Sequence, residues 1–251
     1  MKLIIKVLEK LSCEMEIIKP YSSLHFLIMA GVLSAAIVTA YILKKIKINK
    51  KNFLFTIGLV LGISEIVKQI FLTYIRGWNY SWSDFPFQLC SMPIYLCLLY
   101  PILNEKNKKT AEYFLMTFNL IGSMAAFVEP ISLFNRYCLL TIHSIGWHGI
   151  LFFTGIYLVM ENKSERLKIR QFVPLSVLYL LLAASAVIIN AVLFKISNGT
   201  ANMFFIGPSR PNIMILNYIY YKAGWVAETL IMVAATELGG FLLFLPYCRK
   251  K

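Results

Sequence analysis

Charged side chains are scarce in this chain of 251 residues, where they make up 15% against about a quarter in soluble domains. Acidic residues are fewest, with 12 Asp and Glu against 25 Lys and Arg. Hydrophobic residues make up 59%, and the mean hydropathy is +0.68. So little charge excludes an ordinary soluble domain and indicates an integral membrane protein.

The formal net charge of +13 does not indicate a nucleic-acid-binding protein. The basic residues fall in short loops between apolar runs, where they act as topology signals and contact anionic lipid headgroups. We therefore expect membrane lipids as partners and no nucleic acid. The sequence does not fix the oligomeric state.

Cysteine and histidine are too few and too scattered to predict a metal centre or a disulfide framework. The five cysteines form no C-x-x-C pair and show no zinc spacing. His143 and His148 are five residues apart, so on a helix they point in different directions, whereas a helical zinc pair is spaced by four. No metal and no cofactor is expected. The cysteines are Cys13, Cys90, Cys97, Cys138 and Cys248.

Residues 1–19 predict an amphipathic helix that lies in the membrane interface, because charged residues occupy the face opposite the apolar one. Lys6, Glu9 and Lys10 also interrupt the apolar character too early for a cleavable signal peptide. The apolar face comprises Leu3, Ile4, Val7, Leu8, Leu11, Met15 and Ile18.

Seven apolar runs follow, each near the roughly 20 residues that a membrane span needs. They predict an all-α fold, an integral membrane bundle of seven transmembrane helices in a single domain, 1–251. The third run is short and contains Pro86 near its start, with Pro101 near its end. Residues 195–222 predict a long loop with an amphipathic piece that dips into the membrane. The runs are Leu24–Leu43, Phe53–Ile75, Phe85–Leu103, Ala111–Val128, Tyr137–Met160, Phe172–Phe194 and Ala223–Tyr247.

Loop charge predicts the orientation in the cell membrane. The three loops and the C-terminus at one end of the spans hold 15 Lys and Arg, and the three alternate loops hold five. The N-terminal segment adds four lysines to the poorer side and argues the other way. We expect the N-terminus outside and the C-terminus in the cytoplasm.

With this topology, most polar residues within the spans fall in the outer half of the bilayer. Ionisable groups are costly in hydrocarbon unless they face a cavity or each other, so their convergence predicts a polar pocket. The alternative is that helix ends are simply more polar. Glu65 and Lys68 lie deeper and are interpreted as a structural ion pair, with a proton or substrate role as the alternative. Predicted to line the pocket are His25, Glu129, His143, Asn190, Glu228 and the deeper Glu237.

The start of the third span concentrates Asp84, Gln88 and Cys90 within seven positions. The positive end of a helix dipole favours a thiolate at Cys90, and Gln88 with free backbone N–H groups could hold an oxyanion. His148 suits a general base because histidine changes charge near neutral pH. The plainer alternatives are a buried cysteine acting as a small apolar residue and a hydrogen-bonded packing histidine.

The order and spacing of these pieces resemble the YwaF-like bacterial membrane proteins, which group with the eukaryotic transmembrane protein 164 acyltransferases. The resemblance covers nearly the whole chain. It implies a seven-helix fold and the transfer of a fatty acyl chain between phospholipid and lysophospholipid through a cysteine nucleophile. The residues that carry it are His25 after Pro20 and Tyr21, FPFQLCS at 85–91, Pro130, Trp147-His148-Gly149, Asn190, Asn202–Phe205, Glu237 and Leu245–Tyr247.

The eukaryotic Pro-Cys-His pattern would fall on Pro86, Phe87 and Gln88, so this chain departs from it at two positions. Cys90, one helical turn on, matches the bacterial form and becomes the expected nucleophile, with His148 as base. Asp84 or Glu129 would then orient His148, and Gln88 or helix-start amides would hold the oxyanion.

Two alternatives stay open at this point. A non-enzymatic carrier or receptor could bind a lipid or small molecule in the same pocket, and a structural partner would need no chemistry at all.

Overall fold

The computed structural model describes residues 2–163, 166–211 and 213–248, and within these the side chains from position 5 onward. The described chain is all-helical, and its only β-pairing is an isolated bridge between Glu14 and Tyr137. The helices are α1 (Lys2–Leu11), α2 (Ser23–Ile46), α3 (Lys50–Ile75), α4 (Met92–Leu99), α5 (Glu105–Met116), α6 (Phe118–Val128), α7 (Cys138–Glu161), α8 (Val173–Leu193) and α9 (Met214–Phe244).

Six helical segments within the described ranges are long and apolar enough to cross a membrane, which identifies a multi-pass membrane protein. The predicted third span is shorter than these: with its flanking 3-10 turns it runs over Leu89–Ile102. Fourteen residues reach about 21 Å, less than the roughly 30 Å of a hydrocarbon core. The predicted count of seven is therefore not confirmed. The six are Ser23–Ile46, Lys50–Ile75, Glu105–Val128, Cys138–Glu161, Ile169–Leu193 and Met214–Tyr247.

Proline explains why the third predicted span starts late. Phe85 precedes Pro86 and has an extended ψ of 128°, as expected for a residue before proline. Gln88 is also extended, and the chain becomes helical only at Leu89. The prediction that this helix begins at Phe85 was wrong: Asp84 ends a separate 3-10 turn, Trp82–Asp84, and Gln88 lies on extended backbone.

The fourth predicted span is two helices joined at Thr117, whose φ of −123° and ψ of −83° are not helical. It also begins earlier than predicted, at Glu105, because the Asn104 side chain accepts a 2.9 Å hydrogen bond from the Asn107 backbone N–H and caps the helix. Side chains from Ala111 to Leu120 are buried, so α5 and α6 lie in the interior of the bundle.

Helix α1 ends at Leu11, and residues 12–19 are not helical, which corrects the predicted 19-residue helix. Leu8 is buried against Phe71 of α3 and Leu140 of α7. The apolar face of α1 therefore packs on the ends of two spans. The side chains of Leu3 and Ile4, predicted for the same face, lie outside the described residues, and the interfacial location stays a prediction.

The last helix is longer than predicted. It begins at Met214 rather than Ala223, so the amphipathic piece predicted within the preceding loop is its first part. A break at Gly224, with φ of 80° and ψ of 172°, divides it. The predicted orientation also relied on Arg249, Lys250 and Lys251, which lie outside the described residues.

Helix α7 forms the centre of the bundle and packs on α2, α3, α5 and α6. Glycines permit two of the closest approaches: a Cβ on Gly149 would lie 2.8 Å from Val32, and one on Gly58 of α3 would lie 2.7 Å from the backbone N of Leu98. The end of α4 is thereby held directly against α3.

Candidate functional site

A network of polar side chains lies on one stripe of α3. The buried Glu65 carboxylate forms a 2.7 Å ion pair with Lys68, which confirms the predicted pair. Gln69 donates to Glu65 Oε1 at 2.6 Å and to the backbone carbonyl of Asp84 at 2.5 Å. This stripe therefore joins α3 to the segment that precedes α4.

Asp84 lies where this network reaches the C-terminal end of α3. Its carboxylate is paired with Arg76, the first residue beyond α3. In this conformation the Asp84 carboxylate is occupied by the ion pair with Arg76. Its predicted role in orienting His148 stays a prediction.

Cys90 is placed inside the bundle by a contact with α7. The indole Nε1 of Trp147 donates a 3.2 Å hydrogen bond to the Cys90 backbone carbonyl. Trp147 lies nine residues into α7, about 13 Å from its start, so Cys90 lies beside the middle of α7 and not beside its end. The thiol lies near both Glu65 and Lys68, with Ser91 as a hydrogen-bond partner.

His148 has the tautomer that a general base needs. Its Nδ1–H donates to the Ser144 carbonyl at 2.8 Å, because a carbonyl oxygen can only accept, and this leaves the lone pair at Nε2. The Phe127 ring lies edge-on, with centroids 6.3 Å apart. His148 also lies within electrostatic range of Lys68.

His143 lies on the same helix as His148 but on a different face, which is directed toward α3. It stacks on Trp147 with ring centroids 5.3 Å apart and lies near Ser64 and Lys68. Its buried Nε2 has no hydrogen-bond partner among the described residues. His143, His148 and Cys90 therefore all lie within electrostatic range of Lys68.

Gln88 and Asn190 fix a buried loop. Gln88 donates to the Asn202 carbonyl at 2.8 Å and accepts from the Phe204 N–H at 2.7 Å. Asn190 likewise donates to the Met203 carbonyl at 3.0 Å and accepts from the Met203 N–H at 2.6 Å. Two side-chain amides thus satisfy irregular backbone that no water could satisfy within a bilayer.

The same loop is tied to α9 and is conformationally unusual. Trp225 and Thr229 both donate to the Ile206 carbonyl, at 3.0 and 3.2 Å. Phe204 and Phe205 have φ of 58° and 59°, a left-handed conformation that is rare outside glycine. Such residues cluster at functional sites, and Phe204 lies 5.9 Å from Phe87 between ring centroids.

His25 lies in the first turn of α2, and Glu129 immediately follows α6. His25 is buried, accepts from the Tyr21 N–H at 3.2 Å and donates from Nε2 to the Phe127 carbonyl at 3.0 Å. Both ring nitrogens are thus occupied, which suits a packing role. Glu129 accepts from the Tyr21 hydroxyl at 3.3 Å, and desolvation together with this carboxylate raises the pKa of Tyr21.

Residues 20–237 of the chain match the TMEM164 family, described by that name. The chain belongs to the TMEM164 family. This confirms the predicted relation to the transmembrane protein 164 proteins, while the YwaF-like grouping stays a prediction. No curated protein and no solved structure matches the chain.

The remaining predicted pocket residues of this TMEM164 family member lie on α9. Glu228 is fully buried, and neither carboxylate oxygen has a partner among the described residues. Glu237 lies near Tyr179 of α8, and its Oε2 is buried without a described partner. No described contact joins either residue to the cluster around Lys68.

A second buried polar network, which the sequence reading did not single out, lies at the other end of the bundle. The Glu112 carboxylate accepts from Tyr100 at 2.6 Å, from Lys50 at 3.0 Å and from Asn162 at 3.1 Å. The signal in the sequence that could have revealed this network is the Glu112 carboxylate within a predicted apolar span. An adjacent cleft of about 740 Å³ is lined by Lys44, Lys47, Ile48, Met160, Glu161, Lys163 and Arg166.

An apolar layer separates the two networks. Helix α3 carries Lys50 at its start and Glu65 fifteen residues later, about 22 Å along its axis. The buried residues between them on that stripe are Leu54, Ile57 and Leu61.

Among the residues that the structure describes, no group of three His, Cys, Asp or Glu side chains is arranged to hold a metal ion.

Proposed function

We propose that this TMEM164 family protein is a membrane-embedded lipid acyltransferase, with Cys90 as nucleophile and His148 as general base. The observation that supports the proposal is that Cys90, His143 and His148 all lie within electrostatic range of Lys68. A thiol, a cation and an imidazole with a free lone pair are the groups that acyl transfer requires.

In the first half-reaction, the Cys90 sulfur attacks the carbonyl carbon of a phospholipid acyl ester. His148 Nε2 takes the thiol proton and delivers it to the departing glycerol oxygen. The bond from carbonyl carbon to ester oxygen breaks, which leaves an acyl thioester on Cys90 and releases a lysophospholipid.

The second half-reaction reverses these steps with a new acceptor. His148 Nε2 takes the proton from a lysophospholipid hydroxyl, whose oxygen attacks the thioester carbon. The carbon–sulfur bond breaks, and the proton passes to the Cys90 sulfur. The thiol is regenerated, so no cofactor is consumed.

The tetrahedral oxyanion needs a positive partner. The Lys68 ammonium, mostly buried and held by Glu65, supplies a fixed positive charge for this role. Gln88 has both ends of its amide engaged by the 202–204 loop, so it acts here by positioning the segment that carries Cys90.

One observation supports the alternative of a carrier with a path to the cytoplasm: the second polar network, around Glu112. The buried Leu54, Ile57 and Leu61 interrupt the polar stripe between the two networks. A solute path along α3 would have to cross this layer, which favours acyl transfer within one leaflet.

The test is acyl exchange by purified protein in vesicles that contain phospholipid with a labelled acyl chain and unlabelled lysophospholipid. We expect Cys90→Ala to abolish exchange and His148→Ala to slow it about 10²- to 10⁴-fold. Cys97→Ala is the matched control, because Cys97 lies on the same helical segment, Leu89–Ile102, and is buried against α3. Full exchange by Cys90→Ala, or none by the wild type with any phospholipid, would contradict the proposal.

A further inference from the structure

The segment between α1 and α2 pairs with the start of α7 through two backbone hydrogen bonds. The Met15 N–H donates to the Arg136 carbonyl at 2.8 Å, and the Cys138 N–H donates to the Cys13 carbonyl at 2.9 Å. These bonds flank the antiparallel bridge between Glu14 and Tyr137. Cys13 and Cys138 are therefore directly opposite each other.

The two sulfur atoms lie close together, since the Cys138 thiol is 3.2 Å from the Cys13 sulfur. Directly opposed residues of an antiparallel pair have Cα atoms about 5.5 Å apart, within the range that a disulfide spans. Small side-chain rotations suffice to bring the sulfurs to bonding distance, and the backbone need not move.

Surrounding contacts hold the pair in register. Glu14, the residue after Cys13, and Arg136, two residues before Cys138, form a 2.7 Å ion pair. On the inner side, Leu8 of α1 packs against Phe71 and Leu140. Cys13 is exposed and Cys138 is half-buried, so an oxidant can reach the pair from solvent.

We propose that Cys13 and Cys138 form a disulfide that ties the N-terminal segment to the outer end of α7. The remaining cysteines have no such partner: Cys90 lies in the candidate site, Cys97 is buried in α4 and Cys248 is at the other end of the bundle. The linkage depends on both residues facing the oxidising, non-cytoplasmic side, as the predicted orientation places them.

The reaction is thiol–disulfide exchange with a disulfide-bearing oxidant, such as an oxidised dithiol oxidoreductase. The Cys13 thiolate attacks one sulfur of the oxidant and releases the first thiolate. The Cys138 thiolate then attacks the Cys13 sulfur and releases the second. The two protons lost by the cysteines pass to the two released thiolates, so the oxidant leaves as a dithiol.

The link has a consequence for the candidate site. Cys138 is the first residue of α7, and His143 and His148 lie five and ten residues further along the same helix. A bond at Cys138 fixes the start of α7, the helix that carries both histidines. It also fixes the segment between α1 and α2 that pairs with this end of α7. It is independent of whether the cluster around Lys68 catalyses acyl transfer.

The test counts thiols in the full-length protein in cells. Free thiols are blocked by a membrane-permeant maleimide, the protein is then reduced, and newly exposed thiols receive a polyethylene-glycol maleimide that shifts the gel band. We expect two tags on the wild type, two on the control Cys97→Ser, and none on Cys13→Ser or Cys138→Ser.

Wild-type protein that gains no tag would overturn the proposal, because its thiols were then free in the cell. Two tags that persist in Cys13→Ser would also overturn it, since another pair must then be oxidised. Because tags are counted on protein extracted from the membrane, a variant with altered activity still gives a usable result.

Discussion

The indole Nε1 of Trp147 donates a 3.2 Å hydrogen bond to the backbone carbonyl of Cys90, and the same indole stacks on His143. One side chain thus joins the segment that carries the thiol to the helix that carries both histidines. In the proposed mechanism, the relative placement of nucleophile and base depends on this contact.

Trp147→Phe keeps an aromatic ring but removes the donor. We expect exchange to fall about tenfold, which corresponds to roughly 1.4 kcal/mol of lost positioning, while the amount of folded protein stays near that of the wild type. The measurement is initial exchange rate per folded protein. Trp225→Phe is the control, since it loses a similar 3.0 Å bond to the Ile206 carbonyl. Equal rates for the two variants would contradict the positioning role.

Lys68 has separable effects on stability and on rate. Lys68→Met leaves the buried Glu65 carboxylate without its cation, and breaking such a pair costs about 3–5 kcal/mol. Adding Glu65→Gln removes the unpaired charge, so we expect the double variant to recover most of the stability but to remain slow. Denaturant unfolding measures the stability of each variant, and acyl exchange measures its rate. Recovery of both together would show that Lys68 acts only structurally.

The amide of Asn190 stabilises the buried loop through two bonds to Met203. Asn190→Leu leaves a donor and an acceptor unsatisfied, at about 1–3 kcal/mol each. Asn190→Asp keeps the acceptor but places a buried carboxylate oxygen against the Met203 carbonyl, so we expect at least as large a loss at neutral pH. Thermal unfolding in detergent measures both losses, and an unchanged Tm for Asn190→Leu would show that the loop does not need this support.

Gly58 sets the distance between α3 and α4. An added Cβ would lie 2.7 Å from the Leu98 backbone N and 3.0 Å from the Cys97 backbone C, atoms that cannot move aside as a side-chain tip can. We expect Gly58→Ala to destabilise the protein by about 1–3 kcal/mol. Gly31→Ala on α2 is the control, because no atom lies within 4 Å of its added Cβ. Equal stability of the two variants would argue against close packing of α4.

Apolar runs predict the long helices well, because burial in lipid demands about 20 apolar residues whatever the neighbours are. The run from Phe85 to Leu103 misleads, since its composition fits a span while Pro86 keeps its first part extended. Thr117 and Gly224 likewise break helices that hydropathy alone makes continuous. Local backbone chemistry decides these boundaries.

The candidate site was predictable only as a set of unusual residues. The Glu65–Lys68 pair follows from its spacing of three on one helix, and the structure confirms it. The partners of Gln88 lie 114 and 116 positions away, and Cys13 and Cys138 are 125 apart. Such contacts arise from the way the helices pack, and one sequence contains no direct signal for them.

The central claim is that an acyl chain is carried on Cys90, and acylation of that thiol tests it most directly. Purified protein is incubated with phospholipid that bears a labelled acyl chain, quenched in acid without reductant, and mapped by peptide mass spectrometry. We expect the label on the peptide that contains Cys90, released by neutral hydroxylamine as a thioester is, and absent from Cys90→Ala. Exchange that proceeds with no label on Cys90 would contradict the account.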